Sequence, residues 1–401
     1  MLRTPAVAAL LGVALLSCAG QRGQRAQPLT ARESAPAVSR TLHLRVPPRT
    51  PAGATIFVAG DFNGWKPGDS SWIFVRHADG TLAMTLPPSV RGAMQFKFTL
   101  GSWETVETDS AGGDVPNRTW LAPDSGAAEW RGTVAAWRSG PAPRRRSTAG
   151  RSVSLLDTAF AAPQLGGRRR VWLYLPPGYA TSSTRYPVLY MQDGQNLFDD
   201  STSFGGEWGV DETLDRLHVE GDPGVIVVGV DNGGERRLAE YSPWRNEKYG
   251  GGDGDAYVEF LVHTLKPWVD EHYRTRPDRL NTGVMGSSMG GLISFYAALK
   301  YPQVFGRAGV FSPSLWFAPQ IFAYARRATP TRPDPRFYFM SGALESSSNE
   351  TVLDQRRMMD TLAAAGFRIG GEVDSLVLAD GRHQEWFWRR EFERAYRRLF
   401  R

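Results

Sequence analysis

The stretch RLNTGVMGSSMGGLISFYAALK, Arg279 to Lys300, decides the fold of this chain. Its first seven residues predict a short buried strand, and its last nine predict a helix. Between them, Gly286 to Gly290 forms a Gly-x-Ser-x-Gly pattern with Ser288 at its centre. The two glycines allow neighbouring backbone to approach a sharp turn without a clashing side chain. The stretch therefore predicts an α/β fold, with a doubly wound and mainly parallel sheet, that presents the Ser288 hydroxyl as a nucleophile.

The order of catalytic residues along the chain limits which histidine can be the general base. In hydrolases with this strand, turn and helix, the nucleophile precedes both the acid and the histidine. His383 is the one histidine that follows Ser288, and it lies in a polar turn after the apolar run 373–378. Catalytic groups of an open α/β sheet collect in such loops at strand ends. We therefore predict His383 as the base, among the six histidines His43, His77, His218, His263, His272 and His383.

The acid of the expected triad must come from the carboxylates between Ser288 and His383. Glu345 is favoured because it follows the aromatic strand 336–340 and so stands at the carboxyl edge of the sheet. A carboxylate there can fix the histidine tautomer and stabilise the imidazolium. Asp380 is the first alternative, although its closeness to His383 in sequence makes the geometry awkward. The candidates are Asp334, Glu345, Glu350, Asp354, Asp360, Glu372, Asp374 and Asp380.

Three further motifs accompany the serine turn: VWLYLPPGY at 171–179, YPVLYMQDGQN at 186–196 and VFSPSLW at 310–316. Together they resemble the putative-esterase family of α/β hydrolases, over residues 151 to 401. That family includes enterochelin (siderophore) esterases, feruloyl and acetyl-xylan esterases, esterase D and mycolyltransferases. The resemblance implies a serine carboxylic-ester hydrolase that works through an acyl-enzyme, with no metal and no other cofactor.

The resemblance also implies an oxyanion hole built from the backbone amides of Met289 and Gln195. Two fixed donors aimed at a developing oxyanion are worth a few kcal/mol each. Some siderophore esterases of this family work with a Ser-His pair that lacks a well-placed acid, so the role of Glu345 stays open at this point. Candidate substrate contacts, for which loop packing is an equal explanation, are Asp193, Trp208, Arg237 and Trp316.

The region 40–138 has no helical periodicity and consists of short alternating apolar runs broken by Gly, Pro and Asp. This pattern predicts an all-β immunoglobulin-like sandwich. The segments 60–65 and 97–104 are similar to starch- and glycogen-binding modules of the early-set immunoglobulin-like type. The resemblance implies that Trp65 and Trp103 stack on sugar rings. The alternative is that these tryptophans pack the sandwich, which then only supports the catalytic domain.

The first residues are predicted to form an export signal. Met1-Leu2-Arg3 is followed by an apolar run that is too short to span a bilayer, which is typical of a signal peptide, residues 1–18. Leu15-Leu16-Ser17-Cys18 resembles a bacterial lipobox, so we expect Cys18 to be lipidated and the protein to be anchored to the cell envelope, or otherwise secreted. Because Cys18 is the only cysteine, no intrachain disulfide can form. Linkers are predicted at 19–39 and 139–150, on either side of the sandwich domain 40–138 and before the esterase domain 151–401.

The chain has a net charge of +6, and its arginine runs at 144–146 and 168–170 are predicted to lie on the solvated surface. No basic and aromatic pattern accompanies them, so nucleic acid is not an expected partner. A modest preference for anionic surfaces or substrates is compatible with this charge.

The expected partners are a small-molecule or glycan ester, and a polysaccharide held by the N-terminal module. Rival functions are an acyltransferase of the same chemistry, a non-catalytic polysaccharide-binding lipoprotein and, less favoured, a serine peptidase. The sequence leaves the identity of the ester and the oligomeric state open.

Overall fold

The computed structural model describes residues 39–401, except 91, 114, 124–125, 139–145, 331–334 and 346–348. The predicted signal peptide, Cys18, nearly all of the first linker and much of the second lie outside the described residues and stay predictions. Residues Val38–Arg401 form one compact unit. Within the part of the chain that is described, no helix is both long and apolar enough to cross a bilayer.

The N-terminal region is a β domain, as its alternating sequence predicted. One sheet has the order β3-β4-β1-β8, a second has β2-β5-β7, and β6 pairs with β9. The strands are β1 (Arg40–Arg45), β2 (Phe57–Gly60), β3 (Val75–Arg76), β4 (Leu82–Leu86), β5 (Gly92–Thr99), β6 (Glu107–Thr108), β7 (Arg118–Ala122), β8 (Ala128–Thr133) and β9 (Ala136–Trp137).

The core of the β domain is built from alternate residues of both sheets. Leu42 and Leu44 of β1 are buried against Phe96 and Phe98 of β5, because successive side chains of a strand point to opposite faces. Burying each Phe stabilises the domain by roughly 1.5–3 kcal/mol. This region therefore has a hydrophobic core of its own.

The second region is built on a mixed sheet with the order β10-β11-β13-β12-β14-β15-β16-β17. From β13 to β17 the neighbouring strands run parallel, while β10 and β11 pair antiparallel at one edge. The strands are β10 (Val153–Ala162), β11 (Gly167–Tyr174), β12 (Val188–Gln192), β13 (Ile226–Val230), β14 (Thr282–Ser287), β15 (Arg307–Phe311), β16 (Arg336–Gly342) and β17 (Val373–Leu378). The predicted α/β class and mainly parallel sheet are confirmed.

Helices cover both faces of this sheet. Val188 and Tyr190 of β12 pack in one core cluster with helices α3 to α7, and Leu189 and Met191 pack in the other with α1 and α8. A π-helical turn, Leu261–Leu265, joins α3 to α4. The helices are α1 (Val210–Val219), α2 (Arg237–Glu240), α3 (Gly254–Phe260), α4 (Lys266–His272), α5 (Met289–Lys300), α6 (Gln320–Arg326), α7 (Glu350–Ala364) and α8 (Glu385–Phe400).

The decisive stretch folds as predicted, with shifted boundaries. A short 3-10 turn, Arg279–Asn281, precedes β14 because the Asp278 carboxylate accepts a hydrogen bond from the Leu280 amide at 3.0 Å. Helix α5 begins at Met289, directly after Ser288. Since β12 and β14 to β17 are parallel, the segments that follow them, with Asp193, Ser288, Glu345 and His383, lie at the carboxyl edge of the sheet.

Candidate active site

Ser288 occupies a strained turn between β14 and α5, with φ 59° and ψ −123°. A side chain carbon on Gly286 would lie 2.8 Å from the Gly290 carbonyl, and one on Gly291 would lie 2.8 Å from the Phe311 oxygen. A larger residue at Gly286 would clash with the backbone of the turn itself, and a larger residue at Gly291 would clash with the backbone of β15. The Ser288 side chain is partly exposed, and its Oγ lies 3.1 Å from Ser314 Oγ. Such strain is typical of functional residues.

His383 and Glu345 lie in contact, with 3.1 Å between His383 Nδ1 and Glu345 Oε2. Glu345 is only 6% exposed. Its other oxygen accepts hydrogen bonds from the Gly342 amide and from Ser312 Oγ, both at 2.6 Å. Fixed donors of this kind hold a buried carboxylate in one orientation. Glu345 is therefore placed to orient the His383 ring.

Helix α8 packs against the pair formed by His383 and Glu345 through Trp388. Trp388 Nε1 donates a hydrogen bond to Ser312 Oγ at 2.9 Å, and the Trp388 ring meets the His383 ring edge-on at 5.2 Å between centroids. The loop of His383 approaches β16 through two glycines: a side chain carbon on Gly342 would lie 2.2 Å from the Gly381 carbonyl group. Neither glycine could be larger without moving the loop.

The alternative acid, Asp380, is engaged elsewhere. It is exposed, and the Arg390 guanidinium donates to its two oxygens at 2.5 and 3.0 Å. The hydrogen bond from Arg390 also lowers the pKa of Asp380 below its usual value. Asp380 is therefore an exposed ion-pair partner, while Glu345 is the carboxylate in contact with His383.

The two predicted oxyanion donors lie in turns that follow β12 and β14. Gln195 is in the 3-10 turn Gly194–Asn196, and Met289 is the first residue of α5. Among the described residues, neither backbone N–H has a hydrogen-bond acceptor. The Gln195 side chain is held separately, since its oxygen accepts from the Asn232 amide at 3.3 Å.

Asp193 and Arg237, predicted as substrate contacts, are bonded to each other. Arg237 Nε and Nη2 donate to the two Asp193 oxygens at 2.7 and 2.8 Å, and Asn232 Nδ2 donates to Oδ1 at 2.7 Å. Asp193 has φ 55°, a conformation that favours glycine, and the Tyr241 hydroxyl accepts from its amide at 3.1 Å. This arrangement fixes the turn that carries Gln195.

The two tryptophans predicted as substrate contacts have different positions. Trp208 is 3% exposed and packs against Phe311 and Trp388, with ring centroids 5.2 and 5.8 Å apart. It belongs to the core behind the site, because its aromatic neighbours exclude it from the surface. Trp316 is 42% exposed, two residues after Ser314, and its ring meets Tyr249 edge-on at 5.8 Å.

Several polar residues around the site were not singled out by sequence reasoning. Ser312 and Ser314 lie in the motif 310–316, which was noted as a motif but not for their hydroxyls. Glu385 begins α8 and faces the Gly205 backbone; burial raises its pKa, and His383 opposes that shift. Nothing local in the sequence marks Glu385, because its neighbours come from distant segments.

Trp65 and Trp103 lie together in the β domain, with ring centroids 6.3 Å apart and both side chains half-buried. Trp65 has φ 59°, an uncommon conformation for a bulky residue. A pair of adjacent, partly exposed rings is compatible with stacking on a ligand, and equally with packing.

No cluster of three or more His, Cys, Asp or Glu side chains in the described ranges has a geometry that could hold a metal ion.

The mixed sheet, its two helical layers and the serine turn define an α/β-hydrolase fold. The family model described as putative esterase matches residues 162–399. The chain belongs to this family and is a carboxylic-ester hydrolase.

The uncharacterized protein YbbA of Bacillus subtilis is 31% identical over 200 residues, which cover 48% of this chain and 74% of that protein. The endo-1,4-beta-xylanase/feruloyl esterase of Xylanibacter ruminicola is 25% identical over 255 residues, 62% of this chain but 31% of the relative. The crystal structure of the enterobactin esterase of Shigella flexneri superposes with a TM-score of 0.50 at 15% identity, covering 86% of this chain and 88% of that one. At 15% identity, the similarity to the enterobactin esterase shows a shared fold alone.

Proposed function

We propose that the protein is a serine esterase that hydrolyses its substrate through an acyl-enzyme. Ser288 attacks the ester carbonyl, and His383 removes the Ser288 proton and then delivers it to the leaving alcohol. Glu345 orients the His383 ring and stabilises its cationic form. The amides of Met289 and Gln195 hold the oxyanion, and water then attacks the acyl-enzyme with His383 as base.

One observation carries the proposal: the contact of 3.1 Å between His383 and a buried, fully bonded carboxylate, at the same sheet edge as a serine in a strained turn. A histidine on a surface loop has no need of such a partner. The backbone N–H groups of Met289 and Gln195 have no hydrogen-bond acceptor among the described residues, which supports their assignment as oxyanion donors.

The substrate we propose is a siderophore, carbohydrate-linked or simple acyl ester, and among these we favour an ester with a bulky aromatic group. Support comes from three exposed aromatic side chains on segments next to the site: Phe204, Trp316 and Trp386, which are 79%, 42% and 43% exposed. Phe204 follows the Gln195 turn, Trp316 follows Ser314, and Trp386 follows His383. Exposed aromatic side chains on segments that follow the site residues favour a substrate with an apolar ring that they could contact.

For the N-terminal region of the chain we propose a role in attachment. We propose that Cys18 carries a lipid that anchors the protein to the cell envelope, and that Trp65 and Trp103 hold a polysaccharide near the esterase site. The second idea rests on the resemblance of 60–65 and 97–104 to starch- and glycogen-binding modules, together with two adjacent, half-buried rings.

The test combines labelling with a substrate panel. A fluorophosphonate should label wild-type protein and Ser287→Ala but not Ser288→Ala, because only the residue in the strained turn is a nucleophile. Aryl, siderophore-lactone and acetyl esters, with matched amides, then define the substrate class. Labelling of folded Ser288→Ala at the wild-type rate would refute the proposed nucleophile.

A further inference from the structure

A cavity of about 620 Å³ opens at the edge of the main sheet opposite the proposed active site. Arg307 is the first residue of β15, and Arg336 is the first residue of β16. Ser288, in contrast, follows the last residue of β14. Because these strands are parallel, the cavity and the serine are separated by the length of a strand, about 16 Å for five residues. The cavity is therefore not part of the ester site.

The walls of the cavity are strongly basic. Four arginines line it: Arg307, Arg336, Arg368 and Arg398. Of the lining residues that the structure describes, none is Asp or Glu. Leu280 and Ile369 add apolar surface. Such a lining favours an anionic ligand that also has an organic part.

Contacts with neighbouring groups hold these guanidinium groups beside the cavity. Arg336 Nη1 donates to the backbone oxygen of Arg401 at 2.7 Å, and Arg307 Nη1 donates to the Gly306 oxygen at 3.1 Å. Arg398 is paired with Asp374 and with the Gly371 oxygen, and Arg368 Nη2 lies 3.4 Å from Glu372 Oε1. Side chains held in this way lose little further conformational freedom when a ligand binds.

The arginines also repel one another. Arg307 is only 9% exposed. Burial, with added repulsion from Arg336 and Arg279, lowers the pKa of Arg307 to about 10. Arg307 is still charged at neutral pH and lies close to other arginines, of which Arg398 and Arg368 are partly neutralised by Asp374 and Glu372. A bound anion would relieve this repulsion.

We propose that this cavity binds a phosphate-bearing ligand through the guanidinium groups of Arg307, Arg336, Arg368 and Arg398. The planar guanidinium matches phosphate oxygens in a two-point hydrogen-bonded geometry. The volume falls in the range of about 300–1,000 Å³ that is usual for small-molecule sites, which is more than orthophosphate needs. A soluble phosphate ester and a phospholipid headgroup both have this chemistry, and the experiment distinguishes them.

The first arm measures binding of sn-glycerol 3-phosphate to the full chain by calorimetry at constant ionic strength. Arg336→Gln with Arg368→Gln removes two cavity charges, and Arg45→Gln with Arg356→Gln removes the same charge from exposed positions elsewhere. We expect saturable binding in wild type and in the control, and binding weaker by about tenfold or more in the cavity variant. Ester hydrolysis should be unchanged in both variants, which shows that they are folded.

The second arm uses vesicles of phosphatidylcholine with and without phosphatidylglycerol, and every protein carries Cys18→Ser so that no lipid can be attached there. Binding that needs phosphatidylglycerol and is lost only in the cavity variant assigns the site to a headgroup. Saturable binding of sn-glycerol 3-phosphate without any vesicle effect assigns it to a soluble ester. If neither probe binds saturably, or if cavity variant and control bind equally, the proposal is overturned.

Discussion

Trp388 Nε1 donates a hydrogen bond to Ser312 Oγ at 2.9 Å, across 76 residues of sequence. Ser312 Oγ donates in turn to Glu345 Oε1 at 2.6 Å, while Glu345 Oε2 lies 3.1 Å from His383 Nδ1. Both Ser312 and Trp388 are buried, at 0% and 5% exposure. Helix α8 thus supports the carboxylate and follows the histidine in the chain, so its packing sets their relative position.

Replacing Glu345 tests the orienting role. We expect Glu345→Gln to lower kcat by roughly a hundredfold or more, because the neutral amide no longer stabilises the imidazolium or fixes its tautomer. The measurement is steady-state hydrolysis of a small chromogenic ester. Asp380→Asn is the matched control and should stay near the wild-type rate, since Asp380 contacts Arg390 instead. A loss below about threefold for Glu345→Gln would favour a Ser-His pair that works without the acid.

Arg237 should act as a positioning residue through Asp193. Losing its two hydrogen bonds to Asp193 should loosen the turn of Gln195, so Arg237→Gln should lower kcat by about tenfold or more with little change in KM. Arg237→Lys should recover part of the loss. Asp193→Asn combined with Arg237→Gln should be non-additive, because the residues act as one pair. A substrate-contact role would instead appear mainly as a higher KM, with additive effects.

The stability of the protein should depend on pH through Asp211. Asp211 is 1% exposed, and burial raises its pKa from 3.8 to about 7. Between these values the unfolded chain has released the proton that the folded chain retains, so the free energy of unfolding falls as the pH rises through this window. Asn cannot ionise. The free energy of unfolding of Asp211→Asn minus that of wild type should therefore increase from pH 4 to pH 7. Above pH 7 this difference should stay constant.

Thermal unfolding measured across that range checks the effect. Asp79→Asn is the control. Asp79 is exposed, and hydrogen bonds from Thr81 lower its pKa. Its contribution to the stability of the folded protein is therefore lost only below pH 4. A constant difference between Asp211→Asn and wild type from pH 4 to pH 8 would contradict the assignment.

Sugar binding by the β domain is tested on the full chain. If Trp65 and Trp103 stack on sugar rings, the double variant Trp65→Ala with Trp103→Ala should bind insoluble α-glucan more weakly, by up to about tenfold for each ring removed. Hydrolysis of a small soluble ester should not change. Trp386→Ala, which removes an exposed ring outside the β domain, should leave glucan binding intact. Absence of binding in wild type would mean that the two rings serve packing.

Much of the fold could be predicted from local sequence. A side chain carbon on Gly286 would lie 2.8 Å from the Gly290 carbonyl group of the same turn, so the pattern around Ser288 predicts the strand, the turn and the helix from local sequence. Alternation and apolar runs predicted the strands of both regions, because they report which faces are buried. Chain order, together with a single downstream histidine, was enough to propose His383 as the base.

Only the tertiary structure decided which distant residues meet. It placed Glu345, and not Asp380, beside His383, put Trp208 in the core, and paired Asp193 with Arg237. These contacts depend on the order of strands in the sheet and on how α8 packs against it. Local periodicity specifies which face of an element is buried, but not which loops are brought together at the sheet edge. The sequence by itself therefore determined the turn that carries Ser288, and the packing of separate elements determined what surrounds it.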